Sequence, residues 1–286
     1  MQARAFETAK DLLRDVERDL SHREVEHHLL LGVAYGLAAG GDVSRTNTYI
    51  AIRDSDGLAL AALMTPPRPL LLESDRRGED VTHAVRSVAE CLQERQATPK
   101  SVISAEPHAS AFAMAWEKLT GAAAEVRMRQ REYVLRAVSP IRTTTGALRR
   151  AAEGDLPLIE RWMTAFNTEA LLDDVDPELR HRITKRVSMG EVFLWDDPEP
   201  RAMAASARPT RRGIAVNSVY TPREWRGRGY ATSCVAKLSE LLLAEGRAFC
   251  VLYTDTANPT SNAIYTRIGY RPVADSVVMR FEIDRK

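Results

Sequence analysis

Apolar residues recur at Phe6, Ala9, Leu12, Leu13, Val16 and Leu20, the stripe of an amphipathic helix with a period near 3.6. Ser21 and Glu24 stand three apart, a capping-box pattern that predicts a second helix toward Ala39. The pattern then shortens. Residues 48–52 and 58–64 predict two strands around the turn 54–57, and 70–72 predict a third. A helix over 81–95, a strand over 101–105, a helix over 109–119 and a strand over 132–138 follow.

Ser139-Pro140 and the segment 143–146 read as a linker that divides residues 1–140 from 141–286. Beyond it comes a strand at 147–150. Asp155 and Pro157 then open a helix with Leu158, Ile159, Trp162, Met163 and Phe166 on its apolar side. Asp176 as N-cap and Pro177 as first helical residue start another, buried through Leu179, Ile183 and Val187. Segments 192–195 and 202–207 predict a hairpin around 196–200, and 213–220 a further strand. A helix over 230–245 carries Ala231, Cys234, Val235, Leu238, Leu241 and Leu242 on one face, with Gly246 at its end. A buried strand at 248–254, a short helix at 260–267 and a closing strand at 277–283 complete the chain.

The element order repeats. Ser-Val-Ala-Glu90 and Ala-Lys-Leu-Ser-Glu240 occupy equivalent helices, and Leu119-Thr-Gly121 matches Arg267-Ile-Gly269 at nearly the same spacing, which points to a duplicated fold. A length of 286 residues suits two such units.

Composition narrows the function classes. With 44% hydrophobic residues, 28% charged residues and a formal net charge of +1, neither nucleic acid nor an anionic membrane is expected as partner. Cys91, Cys234 and Cys250 lack metal-ligand spacing and fall on apolar faces, so they read as buried free thiols. His22, His27 and His28 have no acidic or cysteine partner at ligand spacing and read as solvated helix-face residues, so no metal site is expected. Glu7, Asp11 and Asp15 interrupt any signal-peptide core and no apolar run approaches a membrane span, so a cytoplasmic location is expected.

The chemistry concentrates late in the chain. Arg226-Gly-Arg-Gly-Tyr-Ala231 lies between an apolar strand and an amphipathic helix. Two glycines there let a ligand approach the backbone, and the helix start offers unpaired N–H groups to a phosphate. Asn258-Pro-Thr-Ser-Asn262-Ala-Ile-Tyr265 opens the next helix, with Ile268-Gly-Tyr270-Arg-Pro272 behind it.

On these residues the second half, from about Gly146 onward, resembles the GNAT superfamily of acyl-CoA N-acyltransferases. Arg226-x-x-Gly229-x-Ala231 is similar to that family's pyrophosphate-binding pattern, and Val219-Tyr220-Thr221-Pro222 stands where its splayed strand holds the pantetheine arm. The resemblance implies an α/β (α+β) fold of two GNAT-like domains, each a mixed, mostly antiparallel central sheet flanked by helices. It also implies an N-acetyltransferase that passes an acetyl group from acetyl-CoA to a primary amine, a small molecule or a peptide. Gly227, Arg228, Gly229, Tyr230, Ala231 and Thr232 would line the pyrophosphate with Arg226. Val219, Tyr220 and Thr221 would follow the pantetheine, and Asn258 and Asn262 belong to the second cofactor-side motif. Tyr265 is the implied proton donor to the leaving thiolate.

Two points depart from that pattern. The strand at 214–220 has Asn217 and Ser218 but no carboxylate for a general base, and the substitutes are a water relay or Glu169, at the end of the acceptor-side helix. In the first half the glycine turn is replaced by Glu73-Ser-Asp75-Arg-Arg-Gly78-Glu79-Asp80, whose carboxylates would repel a pyrophosphate. That half is expected to bind no acyl-CoA and instead to shape the acceptor cleft, support its neighbour or form a homodimer contact. Asp173, Asp174 and Asp176 offer either attraction for a cationic amine or helix capping and surface charge. A non-catalytic acyl-CoA-binding or interaction module is the alternative. A dinucleotide oxidoreductase fits less well, because Thr232 occupies the third glycine position and the motif comes late.

Overall fold

The structure is a computed structural model and describes residues 1–40, 44, 46–171 and 178–282. The acidic run at Asp173, Asp174 and Asp176, the helix start at Asp176-Pro177 and the end of the closing strand lie outside the described residues.

The first half runs β1 (Gln2–Phe6), α1 (Ala9–Leu20), α2 (His28–Ala38), β2 (Thr48–Asp54), β3 (Gly57–Met64), β4 (Leu70–Glu73), α3 (Glu79–Glu94), β5 (Ser101–Ser104), α4 (Glu106–Thr120) and β6 (Ala123–Leu135). The second half repeats that order. It runs β7 (Ala147–Arg150), α5 (Leu156–Phe166), α6 (Leu179–Ser188), β8 (Val192–Asp196), β9 (Pro200–Ala207), β10 (Gly213–Tyr220), α7 (Tyr230–Ala244), β11 (Phe249–Asp255), α8 (Pro259–Ile268) and β12 (Arg271–Glu282).

All twelve strands join one sheet in the order β1-β2-β3-β4-β5-β12-β6-β11-β10-β9-β8-β7. The halves exchange strands at its middle. β6 closes the first half in sequence, yet its Gln130–Leu135 stretch pairs with β11 of the second half. β12 ends the second half, yet its Val277–Arg280 stretch pairs with β5 of the first. The two long strands also pair with each other, from Arg271 opposite Val134 to Glu282 opposite Ala123. Val277 and Phe281 consequently pack in the first half's core with Phe112 and Trp116, while Tyr133 and Leu135 pack in the second half's core with Tyr265 and Tyr270.

Alternation along the strands assigns helices to faces. One face carries α3 and α4 in the first half and α7 in the second. The opposite face carries α1 and α2, then α5 and α6. On that second face Val25, Val134, Ala215, Phe249, Val251 and Tyr253 form a small cluster where the halves meet.

Several local expectations are corrected. The first apolar stripe begins later, because Gln2–Phe6 is an edge strand paired with β2 and Thr8 caps α1 by accepting the Asp11 N–H. Ser21 and Glu24 do not cap a helix, since Ser21–Arg23 is a 3-10 turn and Glu24 turns inward to the second half. His27 and His28 are buried rather than solvated. The His27 ring lies 3.0 Å from Glu73 and 3.2 Å from Asp75, while both ring nitrogens of His28 lack a partner. The cysteines are free, with Cys234 and Cys250 buried and Cys91 half-buried. β6 and β12 are longer than expected, because their added polar stretches pair with each other across the middle of the sheet.

Candidate active site

β10 and β11 run parallel and pair at Gly213, Ile214 and Ala215 opposite Phe249, Cys250 and Val251, after which they part. On its other edge β10 pairs with β9 at Asn217 and resumes at Tyr220, a bulge that leaves Ser218 and Val219 outside the ladder. Ser218 sits at φ 51, a left-handed conformation rare for a side-chain-bearing residue. The result is a gap between two strands with free backbone edges, the geometry that accepts an extended chain by strand addition.

At the same end of β10, the chain passes through a 3-10 turn (Arg223–Trp225) and the glycine turn into α7. Gly227 and Gly229 both have positive φ, 74 and 88. Gly229 is the N-cap of α7, so the N–H groups of Tyr230, Ala231 and Thr232 have no partner within the helix. Gly227, Arg228 and Gly229 are exposed. The helix dipole favours an anion at these amides, beside which Thr144 packs close to Gly229.

The flanking arginines differ. Arg226 donates to the Thr221 carbonyl at 2.9 Å and to Glu169 at 2.7 Å. The Arg228 guanidinium lies over the Trp225 ring at 4.8 Å, on the exposed side of the turn. Glu169 lies in a π-turn after α5, within 3.5 Å of Arg223 as well. The Arg226 contact holds its carboxyl below the usual range, which makes it a weak proton acceptor.

Asn258 caps α8 by accepting the Ser261 N–H at 3.0 Å. The Asn262 amide donates to the Asp255 and Asn258 carbonyls, and its oxygen accepts the Tyr133 hydroxyl at 2.9 Å. Both asparagines are thus occupied in fixing α8 against β11 and the exchanged strand. Tyr265 is 8% exposed, with ring contacts to Tyr133 and Tyr270, and burial pushes its hydroxyl up to about 12. It remains a protonated donor across the neutral range.

The counterpart in the first half is closed. β4 and β5 pair at Leu70 and Leu71 opposite Val102 and Ile103, and the Ser104 hydroxyl then donates to the Leu72 carbonyl at 2.8 Å across the place where a gap would open. The His108 ring contacts the Arg76 carbonyl at 3.2 Å, and α3 starts with Glu79 and Asp80.

Known proteins share this arrangement. A family model described as FR47-like protein matches residues 197–278. A GCN5-related N-acetyltransferase from Sphaerobacter thermophilus superposes with a TM-score of 0.62 at 16% identity, covering 98% of this chain and 94% of that one. A tandem GNAT protein from the clavulanic acid biosynthesis pathway gives 0.55 at 11% identity, with 98% of each chain covered. The chain has a tandem GNAT fold. An acetyltransferase from the GNAT family from Colwellia psychrerythraea superposes at 0.57 and 11% identity, covering 99% of this chain and 100% of its own. No curated protein matches the sequence. Among the described residues of the tandem GNAT fold no helix is long and apolar enough to cross a membrane, and no cluster of metal-ligating side chains occurs.

Sequence reasoning missed the buried carboxylate of Glu132 beside the gap. It sits on β6, paired in register with Tyr253 of β11, and is 4% exposed. Tyr253 donates its hydroxyl to the Glu132 carboxylate at 2.8 Å. Burial pushes that carboxyl up to about 8. Nothing in the local pattern of 123–135 announces it, because its position depends on a strand that crosses between halves.

Proposed function

We propose that the chain is an N-acetyltransferase that moves an acetyl group from acetyl-CoA to a primary amine by direct attack on the thioester. The observation that carries this reading is the coincidence of three features at one end of β10: the parting from β11, the bulge at Ser218, and the helix-start amides that follow the exposed Gly227–Gly229 turn. The pyrophosphate would lie on the amides from Gly227 to Thr232, with Arg228 free to add charge. The pantetheine arm would follow the free edge of β10 toward Val219. An amide at the bulge, from Val219 or Tyr220, would polarise the thioester carbonyl and hold the oxyanion of the tetrahedral intermediate. As the carbon–sulfur bond breaks, Tyr265 would protonate the departing thiolate. The buried Cys234 and Cys250 thiols are held above their usual range by burial, which favours direct transfer over a cysteine shuttle.

The amine would enter where the halves meet, on the face carrying α1, α2, α5 and α6. The first half, with its gap bridged by Ser104 and its helix start acidic, would serve as the wall of that entrance and bind no acyl-CoA. The test is acetyl-CoA consumption over an amine library, with Gly229→Asp as control. A control that binds coenzyme A as tightly as wild type removes the glycine turn as phosphate site, and with it this reading.

A further inference from the structure

The sheet face on which the halves meet holds a group of buried charges that the donor site does not use. Glu132 is one strand away from the gap between β10 and β11, because its register partner Tyr253 lies on the stretch of β11 that has lost β10 as neighbour. Glu132 shares the face of Val134 and Tyr253, whereas Tyr265 packs on the opposite face with Tyr133. A carboxylate and a phenol therefore flank the gap from its two sides.

A cation without a partner accompanies them. Arg208 directly follows β9 at φ 50, and its backbone and Cβ pack against Gly32 of α2 so closely that a methyl group on Gly32 would meet that Cβ at 2.7 Å. Its Nε is sealed from solvent with no hydrogen-bond partner, and its guanidinium forms no hydrogen bond or ion pair with any described residue. Its charge lies within electrostatic reach of Tyr253 and Glu132, and of Arg186 and Arg68. Arg208 is half-buried, and a sealed guanidinium nitrogen left unpaired is costly unless an anion completes the group.

We propose that this group of charges beside the gap lines the acceptor site, that Glu132 is the general base for the attacking amine, and that Arg208 binds an anionic group carried by the same small acceptor. The proposal rests on the acetyl-transfer reading above and makes the reaction a joint product of both halves, since Glu132 belongs to the first. The acceptor's ammonium gives one proton to the Glu132 carboxylate, and its nitrogen then forms the bond to the acetyl carbon. The carbon–sulfur bond breaks and the thiolate takes the Tyr265 proton. The amide nitrogen sheds its second proton to solvent, from which Tyr265 recovers its own. Glu132 releases its proton likewise, so one proton is released overall.

The titratable and charged groups that act on Glu132 are Tyr253 on β11, Glu73 on β4, Glu26 and His27 ahead of α2, and Arg208 just after β9. Burial dominates its titration, with the two glutamates raising it further and the Tyr253 hydrogen bond and His27 opposing. Matched acceptors supply the test: β-alanine against β-alaninamide, and O-phosphoethanolamine against ethanolamine. With the wild type we expect at least about tenfold higher kcat/KM for one or both anionic members, and Arg208→Met should erase that preference while sparing coenzyme A binding. Which pair shows it distinguishes carboxylate from phosphate. Glu132→Gln should lower kcat by about 10²–10⁴-fold and abolish the rise in rate as pH passes through about 8. Tyr253→Phe, removing a hydrogen bond to the charged form, should move that rise to higher pH. Thermal melting and coenzyme A binding verify that each variant folds. Equal use of charged and uncharged members, or a Glu132→Gln enzyme with the wild-type rate and pH limb, overturns the proposal. A wild type that binds acetyl-CoA yet acetylates no member of either pair overturns it too, and leaves the donor site standing. A wild type that does not bind acetyl-CoA overturns both.

Discussion

Glu24, ahead of α2, and Arg212, ahead of β10, are 188 residues apart and locked together: the Glu24 carboxylate accepts both the backbone N–H and the Nε of Arg212 at 2.8 Å. Thr210 donates to the same carboxylate at 2.7 Å, and Glu24 is only 3% exposed. Three donors from one loop of the second half thus converge on one carboxylate of the first.

Glu24→Gln should destabilise the protein by about 1–2 kcal/mol, toward the low end for a buried charge-assisted network because Arg212 remains largely exposed. Burial alone would raise the Glu24 pKa, but the Arg212 and Thr210 hydrogen bonds prevail and hold it below its ordinary value. A depressed folded-state value contributes stability above the unfolded value, near 4.3, that is lost as pH falls through the folded one. Denaturant titrations from pH 6 down to 3 should therefore show a steeper loss in wild type than in the variant.

His27 works in the opposite sense. Burial opposes its charge, yet Asp75 and Glu73 raise it to about 10. The imidazolium contributes stability that is complete below the unfolded value of about 6.5 and disappears as pH rises toward 10. His27→Gln should flatten the stability curve between those limits, measurable as melting temperature against pH.

Glu169 and Glu132 are separable by kinetics. With its carboxyl held low by Arg226, Glu169→Gln should keep kcat within about threefold and leave the pH profile in place, while raising the KM for acetyl-CoA as Arg226 and Arg223 lose their anchor. A collapse of kcat with an unchanged KM would instead make Glu169 the base.

Tyr265→Phe should lower kcat by about 10²-fold or more with coenzyme A affinity nearly unchanged, because the hydroxyl acts only as the thiolate leaves. Its raised value of about 12 also means that wild-type activity should show no alkaline decline attributable to this group in the ordinary assay range. Single-turnover rates against pH check both points.

What the sequence disclosed divides by range. The glycine turn, the Asn258 cap and Tyr265 sit in elements whose conformation is set within a few residues, by Gly227 and Gly229 at positive φ and by an asparagine oxygen on the Ser261 N–H. These were legible. Most strands and helices of each half were too, because their apolar periods are strong. Glu132, Arg208 and the buried His27 were not, because each acquires its role from partners far along the chain: Tyr253, Gly32, Glu73 and Asp75. The polar stretch Glu125–Arg131 hid half of β6 in the same way, since pairing with β12 along its length and with β11 from Gln130 onward, not a hydrophobic face, holds it in place.

The crossing of β12 sets an order of events during synthesis. The edge of β5 is translated long before Val277–Arg280, the residues that cover it, leave the ribosome. Until then the earlier half presents an uncovered ladder of amides and carbonyls, a template for mispairing with other nascent chains. A polypeptide built this way completes its first-made portion last, and its yield in a cell should depend on how well that waiting edge is shielded.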